Sequence, residues 1–95
     1  MSGKKRIRAE RVARLFKLVA SETRAAVILL LAKHKKLSVQ EVAESLSMTH
    51  SAVSHQLSVL LRSNIVSVDR VGRQALYRLA KNPHAQALAR FLLSV

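Results

Sequence analysis

Apolar residues recur at helical spacing along most of this chain and alternate with polar ones in one stretch only. Val12, Leu15, Phe16 and Val19 form the stripe of a first helix, from about Ala9 to Ala20, with Arg11, Arg14 and Lys17 on the opposite side. Ser21 caps a second helix, from about Glu22 to His34. Its run Ala25 to Ala32 leaves little polar face, so it belongs at the centre of the domain. Ser38 with Glu41 three residues on is a capping box, and Leu37 with Val42 a hydrophobic staple, so a third helix runs to about Leu46. After Ser47-Met48, Thr49 caps a fourth helix that ends near Ser63 and buries Val53, Leu57, Leu60 and Leu61.

The period then changes to two. Val66 and Val68 share one side of a strand, and Ala75, Tyr77 and Leu79 share one side of the next. Gly72 between them suits a tight turn that needs positive φ, which gives a β-hairpin with Arg70, Arg73 and Gln74 near its tip. Asn82-Pro83 starts a last helix striped by Leu88, Phe91, Leu92 and Val95. The expected fold is α+β and mainly α, in the order helix, helix, helix, helix, hairpin, helix. Residues 1–8 read as a basic N-terminal arm and residues 9–95 as one domain.

Charge narrows the partner. Seventeen Lys and Arg against five acids give a formal net charge of +12, which suits a polyanion. The 24 positions 45–68 hold no acid at all. With 49% apolar residues, the chain is not a disordered basic tail. No run approaches the ~20 apolar residues that span a bilayer, and the basic N-terminus lacks a secretion pattern, so a cytoplasmic, nucleoid-associated protein is expected.

Two short helices joined by a tight turn and followed by a basic hairpin have the layout of a winged helix-turn-helix. A helix fits the major groove of double-stranded DNA, and a hairpin reaches the flanking backbone. Ala52, Val53 and Leu57 anchor the fourth helix, while Thr49, His50, Ser51, Ser54, His55 and Gln56 present small polar groups and imidazoles. Such groups approach base edges and phosphates closely. His55 either contacts DNA or orients its neighbours. Arg73 is the better phosphate contact, and Arg62 reads equally as a solvated charge. Lys4, Lys5, Arg6 and Arg8 either form a solvated tail or track a groove.

The stretch Ser51-Ala52-Val53-Ser54-His55-Gln56-Leu57, with Leu60, Ile65-Val66, Gly72-Arg73 and Tyr77-Arg78-Leu79, resembles the ArsR/SmtB family of dimeric prokaryotic repressors. Ser21-Glu22-Thr23-Arg24 also resembles the family pattern, and the likeness covers roughly residues 10–80. Ser47-Met48 departs from it, because glycine is frequent there. The resemblance implies that His50, Ser51, Ser54 and His55 meet the major groove and that the hairpin arginines meet backbone.

Many family members release DNA on binding metal. A thiolate site on the third helix is ruled out because the chain has no cysteine. The resemblance puts a second site on the last helix, where the first ligand pair reads Asn82 and His84 and the second falls at Val95 and beyond. The expectation is no metal site and no cofactor, with control by abundance, by a partner or by no ligand. A zinc or nickel site from His34 or His84 of two subunits is the alternative.

The stripes Val12, Leu15, Phe16, Val19 and Leu88, Phe91, Leu92, Val95 are the expected homodimer interface, unless both pack within one chain. A sequence-specific repressor on an inverted-repeat operator is the leading reading. A partition or nucleoid-coating DNA-binding protein, or a ribosome-associated RNA-binding one, are the competitors. The acids are scattered, and the adjacent side chains of Ser54 and His55 diverge on a helix, so an enzyme is not expected.

Overall fold

The computed structural model describes residues 2–95. Its elements run α1 (Gly3–Val19), α2 (Glu22–Lys33), β1 (Leu37–Ser38), α3 (Val39–Leu46), α4 (His50–Arg62), β2 (Val66–Val71), β3 (Gln74–Leu79) and α5 (Pro83–Ser94).

Side-chain caps set most helix starts. Ser21 Oγ accepts from the Arg24 amide, Thr49 Oγ1 from Ala52 and Asn82 Oδ1 from Ala85. Both halves of the Ser38–Glu41 capping box form. Two helices end in the same way. Ser47, at φ 52°, closes α3: its amide bonds Glu44 O, and the next amide, of Met48, bonds Ala43 O. Asn64, at φ 59°, closes α4 through Asn64 N to Leu61 O and Ile65 N to Leu60 O. This pair of reversed bonds is the Schellman closure, and it pins each following segment to the helix it leaves.

The core is aliphatic. Val27, Ile28 and Leu31 of α2 meet Val42 and Ala43 of α3, Val53, Leu57 and Leu60 of α4, Ile65 and Val66 leading into the hairpin, and Ala85, Leu88 and Ala89 of α5. The central placement of α2 follows from its near-continuous apolar run. In the antiparallel sheet, ordered β1-β3-β2, Val66 pairs with Leu79, Val68 with Tyr77 and Val71 with Gln74. The last pairing leaves a loop of Gly72 and Arg73 alone. Gly72 has φ 61° at the first central position, as in a type II′ turn.

The structure departs from the sequence reading in four places. First, residues 3–8 are not an arm but the opening turns of α1; Met1 lies outside the described residues. Ser2 caps the helix by accepting from the Lys5 amide, and Lys and Arg are good helix formers. Second, β1 is an additional strand, in which Leu37 pairs with Tyr77 and Ser38 with Leu76. Two residues carry no readable alternation. Third, Arg11 and Arg14 do not face away from the apolar stripe. They border Leu15 and Leu18, with Ser63 and His84, around an open hollow of about 360 Å³. Fourth, Leu88 is only 7% exposed and belongs to this chain's own core.

Candidate DNA-binding surface

The α3–α4 pair is a helix-turn-helix whose turn is the left-handed Ser47 closure. The burial of α4 divides it into two faces. Val53, Leu57 and Leu60 hold one face in the core, while His50, Ser51, His55 and Arg62 are exposed and Ser54 and Gln56 are half-buried. Among the described residues, the side chains of His50, Ser51, Ser54 and His55 make no hydrogen bond within the chain, so their donors and acceptors stay open to a ligand. Thr49 is different, because its hydroxyl is committed to the Ala52 amide. Gln56 is also partly engaged: its Oε1 accepts from Arg24 Nη1 at 3.3 Å, which leaves its amide donors free. The first turn of α4 contains no acid, so the partial positive charge of the helix N-terminus adds to the face.

The hairpin carries Arg70, Arg73 and Gln74, all exposed, at and beside its two-residue tip. Its one acid, Asp69, is neutralised from two sides. Lys36 Nζ and Arg78 Nε each lie 3.0 Å from Asp69 Oδ2. The hydrogen bond from Lys36, then that from Arg78, holds this carboxyl below its ordinary range. The hairpin therefore presents cations at its tip with no free carboxylate beside them. Lys4, Lys5, Arg6 and Arg8 are exposed on the first turns of α1, on a helix rather than an extended strand.

The apolar stripes are partly spent inside the chain. Leu15, Val19 and Leu92 are half-buried against the core, whereas Val12, Phe16, Phe91 and Val95 are exposed. Phe16 and Phe91 meet edge to face, with ring centroids 5.7 Å apart, so the exposed residues of α1 and α5 adjoin in one patch. Ile7 and Leu93, which the sequence reading did not pick out, are also exposed. No group of three or more His, Cys, Asp or Glu that could hold a metal ion occurs among the described residues. No helix among them is long and apolar enough to cross a membrane.

Fold and surface together define a winged helix-turn-helix domain: a capped, acid-free helix at the end of a tight turn, beside a cationic hairpin. The family model of the bacterial regulatory proteins of the arsR family matches residues 21–68, and the chain belongs to that family. It is 36% identical over 74 residues to the transcriptional repressor SmtB homolog of Synechocystis sp., spanning 78% of this chain and 55% of that protein. It is 38% identical over 80 residues to the HTH-type transcriptional regulator NmtR of Mycobacterium tuberculosis, spanning 84% and 66%. The chain thus covers less than two thirds of the length of these relatives. The homodimeric winged helix-turn-helix DNA-binding domain Mb0332 of Mycobacterium bovis superposes with a TM-score of 0.79 at 26% identity, covering 99% of this chain and 82% of that one.

Proposed function

We propose that this protein is a dimeric, sequence-specific DNA-binding repressor that works on the nucleoid in the cytoplasm without a metal switch. The observation that carries the reading is the exposed face of α4. Its His50, Ser51, Ser54 and His55 are unpaired within the chain, at the positive end of a helix and with no acid in its first turn. In this reading those residues meet base edges in the major groove, assisted by the free amide of Gln56. Arg70, Arg73 and Gln74 hold the flanking backbone, and the cations of α1 add charge. The exposed patch of Val12, Phe16, Phe91 and Val95 seats a second copy, with Leu15, Val19 and Leu92 at its margin. A twofold pair of α4 helices then requires an inverted repeat with half-sites about 10–10.5 base pairs apart, or a multiple of that. Occupation of the promoter by the dimer blocks polymerase.

Metal independence is supported by the absence of cysteine from the 95 residues and by the scatter of their histidines and acids. The test is selection of binding sites from random duplex at stated salt, followed by titration of the selected operator. One discrete palindrome, bound equally with and without micromolar zinc or nickel, supports the proposal. A large metal-dependent loss of binding overturns its metal-free part. The +12 charge favours a second reading, that of a DNA-coating protein. A footprint that spreads over unrelated duplex would select it.

A further inference from the structure

The Ser21-Glu22-Thr23-Arg24 segment has so far been only a helix start, yet its last side chain joins three elements. Arg24 is the third residue of α2, and helical side chains lean toward the N-terminus of their own helix. The guanidinium therefore reaches back to the junction with α1. Its Nε donates to Leu18 O at 2.6 Å, a carbonyl of the last turn of α1, where the helix supplies no donor of its own. Its Nη1 donates to Gln56 Oε1 at 3.3 Å, thirty-two residues along the chain on α4. Arg24 is half-buried, and no carboxylate pairs with it among the described residues. A solvated surface arginine would not take this form. The planar fork fixes its donors relative to one another, so it fixes the distance between the two oxygens it holds.

The consequence lies in what the two oxygens belong to. Leu18 is flanked by Phe16 and Val19 on the helix that offers the exposed aromatic patch, and Gln56 is on the flank of α4 that faces α2. On the reading that the first helix seats the second copy and α4 reads DNA, the fork sets how far α4 stands from the twofold axis and how it tilts. We infer that Arg24 is a positioning residue for operator recognition, one that sets half-site spacing without touching DNA.

The test uses the whole 95-residue chain as wild type, R24A, R24K and Q56A. Each binds the selected operator and versions with the half-site separation changed by one base pair, at several salt concentrations. The expected result is that R24A and Q56A each weaken the preference for the native spacing by about tenfold, the size of one lost charge-assisted hydrogen bond. The double variant loses no more than either single one, and the salt slope is unchanged because no phosphate contact is removed. A role confined to stability would lower the melting temperature and scale down binding to every duplex alike; an unaltered spacing preference overturns the inference. Where R24A folds poorly, R24K keeps the charge and a helix-forming side chain but cannot bridge both oxygens, and it must still lose the preference. Residual dipolar couplings of the α4 amides relative to those of α2 in free R24K read the tilt without DNA. An unchanged α4 orientation overturns the inference, and a changed one supports it even if wild type selects no operator, in which case the repressor reading alone fails.

Discussion

Ser47 shows how a single residue can hold a motif at a cost. It occupies the left-handed position that closes α3, at φ 52°, where a Cβ is disfavoured and glycine is not. Ser47→Gly is expected to stabilise the domain by about 0.5–1 kcal/mol, read as a rise in the denaturation midpoint, with the turn geometry retained. The sequence singled out this position as a departure from the family pattern, and the structure shows that the conformation survives the departure. Asp69 makes the opposite case. Lys36 and Arg78 lower its pKa in the folded state, so its contribution is complete above the unfolded value, about 3.9, and is lost as pH falls through the folded value. Asp69→Asn should therefore melt at lower temperature than wild type near neutral pH, and the gap should close on acidification below about pH 4. Added salt should also narrow it, since both partners are partly solvated. Equal melting curves across the whole range would contradict this account.

At the scale of elements, the two halves of the proposed DNA surface are expected to fail differently. Ser54→Ala on α4 should cost about 1–3 kcal/mol on the selected operator and little on random duplex, because it removes a base contact. Arg73→Ala at the hairpin tip should weaken all duplexes alike and reduce the slope of log K against log salt by about 0.9, the signature of one lost phosphate. Competition titrations at several salt concentrations separate the two patterns. Elements with polar punctuation were the legible ones. Ser38 with Glu41, Thr49, Asn82 with Pro83, and Gly72 mark their boundaries in the chain itself, and the structure places α3, α4, α5 and the hairpin turn on those marks. The others depend on contacts between distant positions. β1 exists only because β3 lies beside it, Leu88 turns inward because α5 packs on α2, and the bond from Arg24 to Gln56 spans segments that no local pattern connects. The first turns of α1 were misread for a local reason: a dense run of cations looks like a tail, and a capped run of helix formers is a helix.

The whole molecule measures 48 × 25 × 23 Å, elongated for its length. α1 contributes no buried residue, and its positions 2–14 are all exposed. Phe16→Glu should place a charge in the proposed seat of the second copy while touching nothing fully buried. The expected result is a monomer in sedimentation at micromolar concentration, with operator affinity reduced to that of a single half-site. A dimer of unchanged mass would remove the α1–α5 patch from the interface.

That unsupported helix has a kinetic corollary. A stretch of about three turns that packs on nothing is marginal in water, since isolated helices need roughly 12–15 residues before they persist. In the lone chain, residues 3–12 should open and close rapidly and exchange their amide hydrogens almost as fast as an unstructured peptide. Contact with a second copy would supply the missing cover, so protection of these amides should rise with protein concentration while that of α2 stays constant. The outermost turns of α1 would then act as a concentration gauge: they become ordered only when enough of the protein has accumulated to pair.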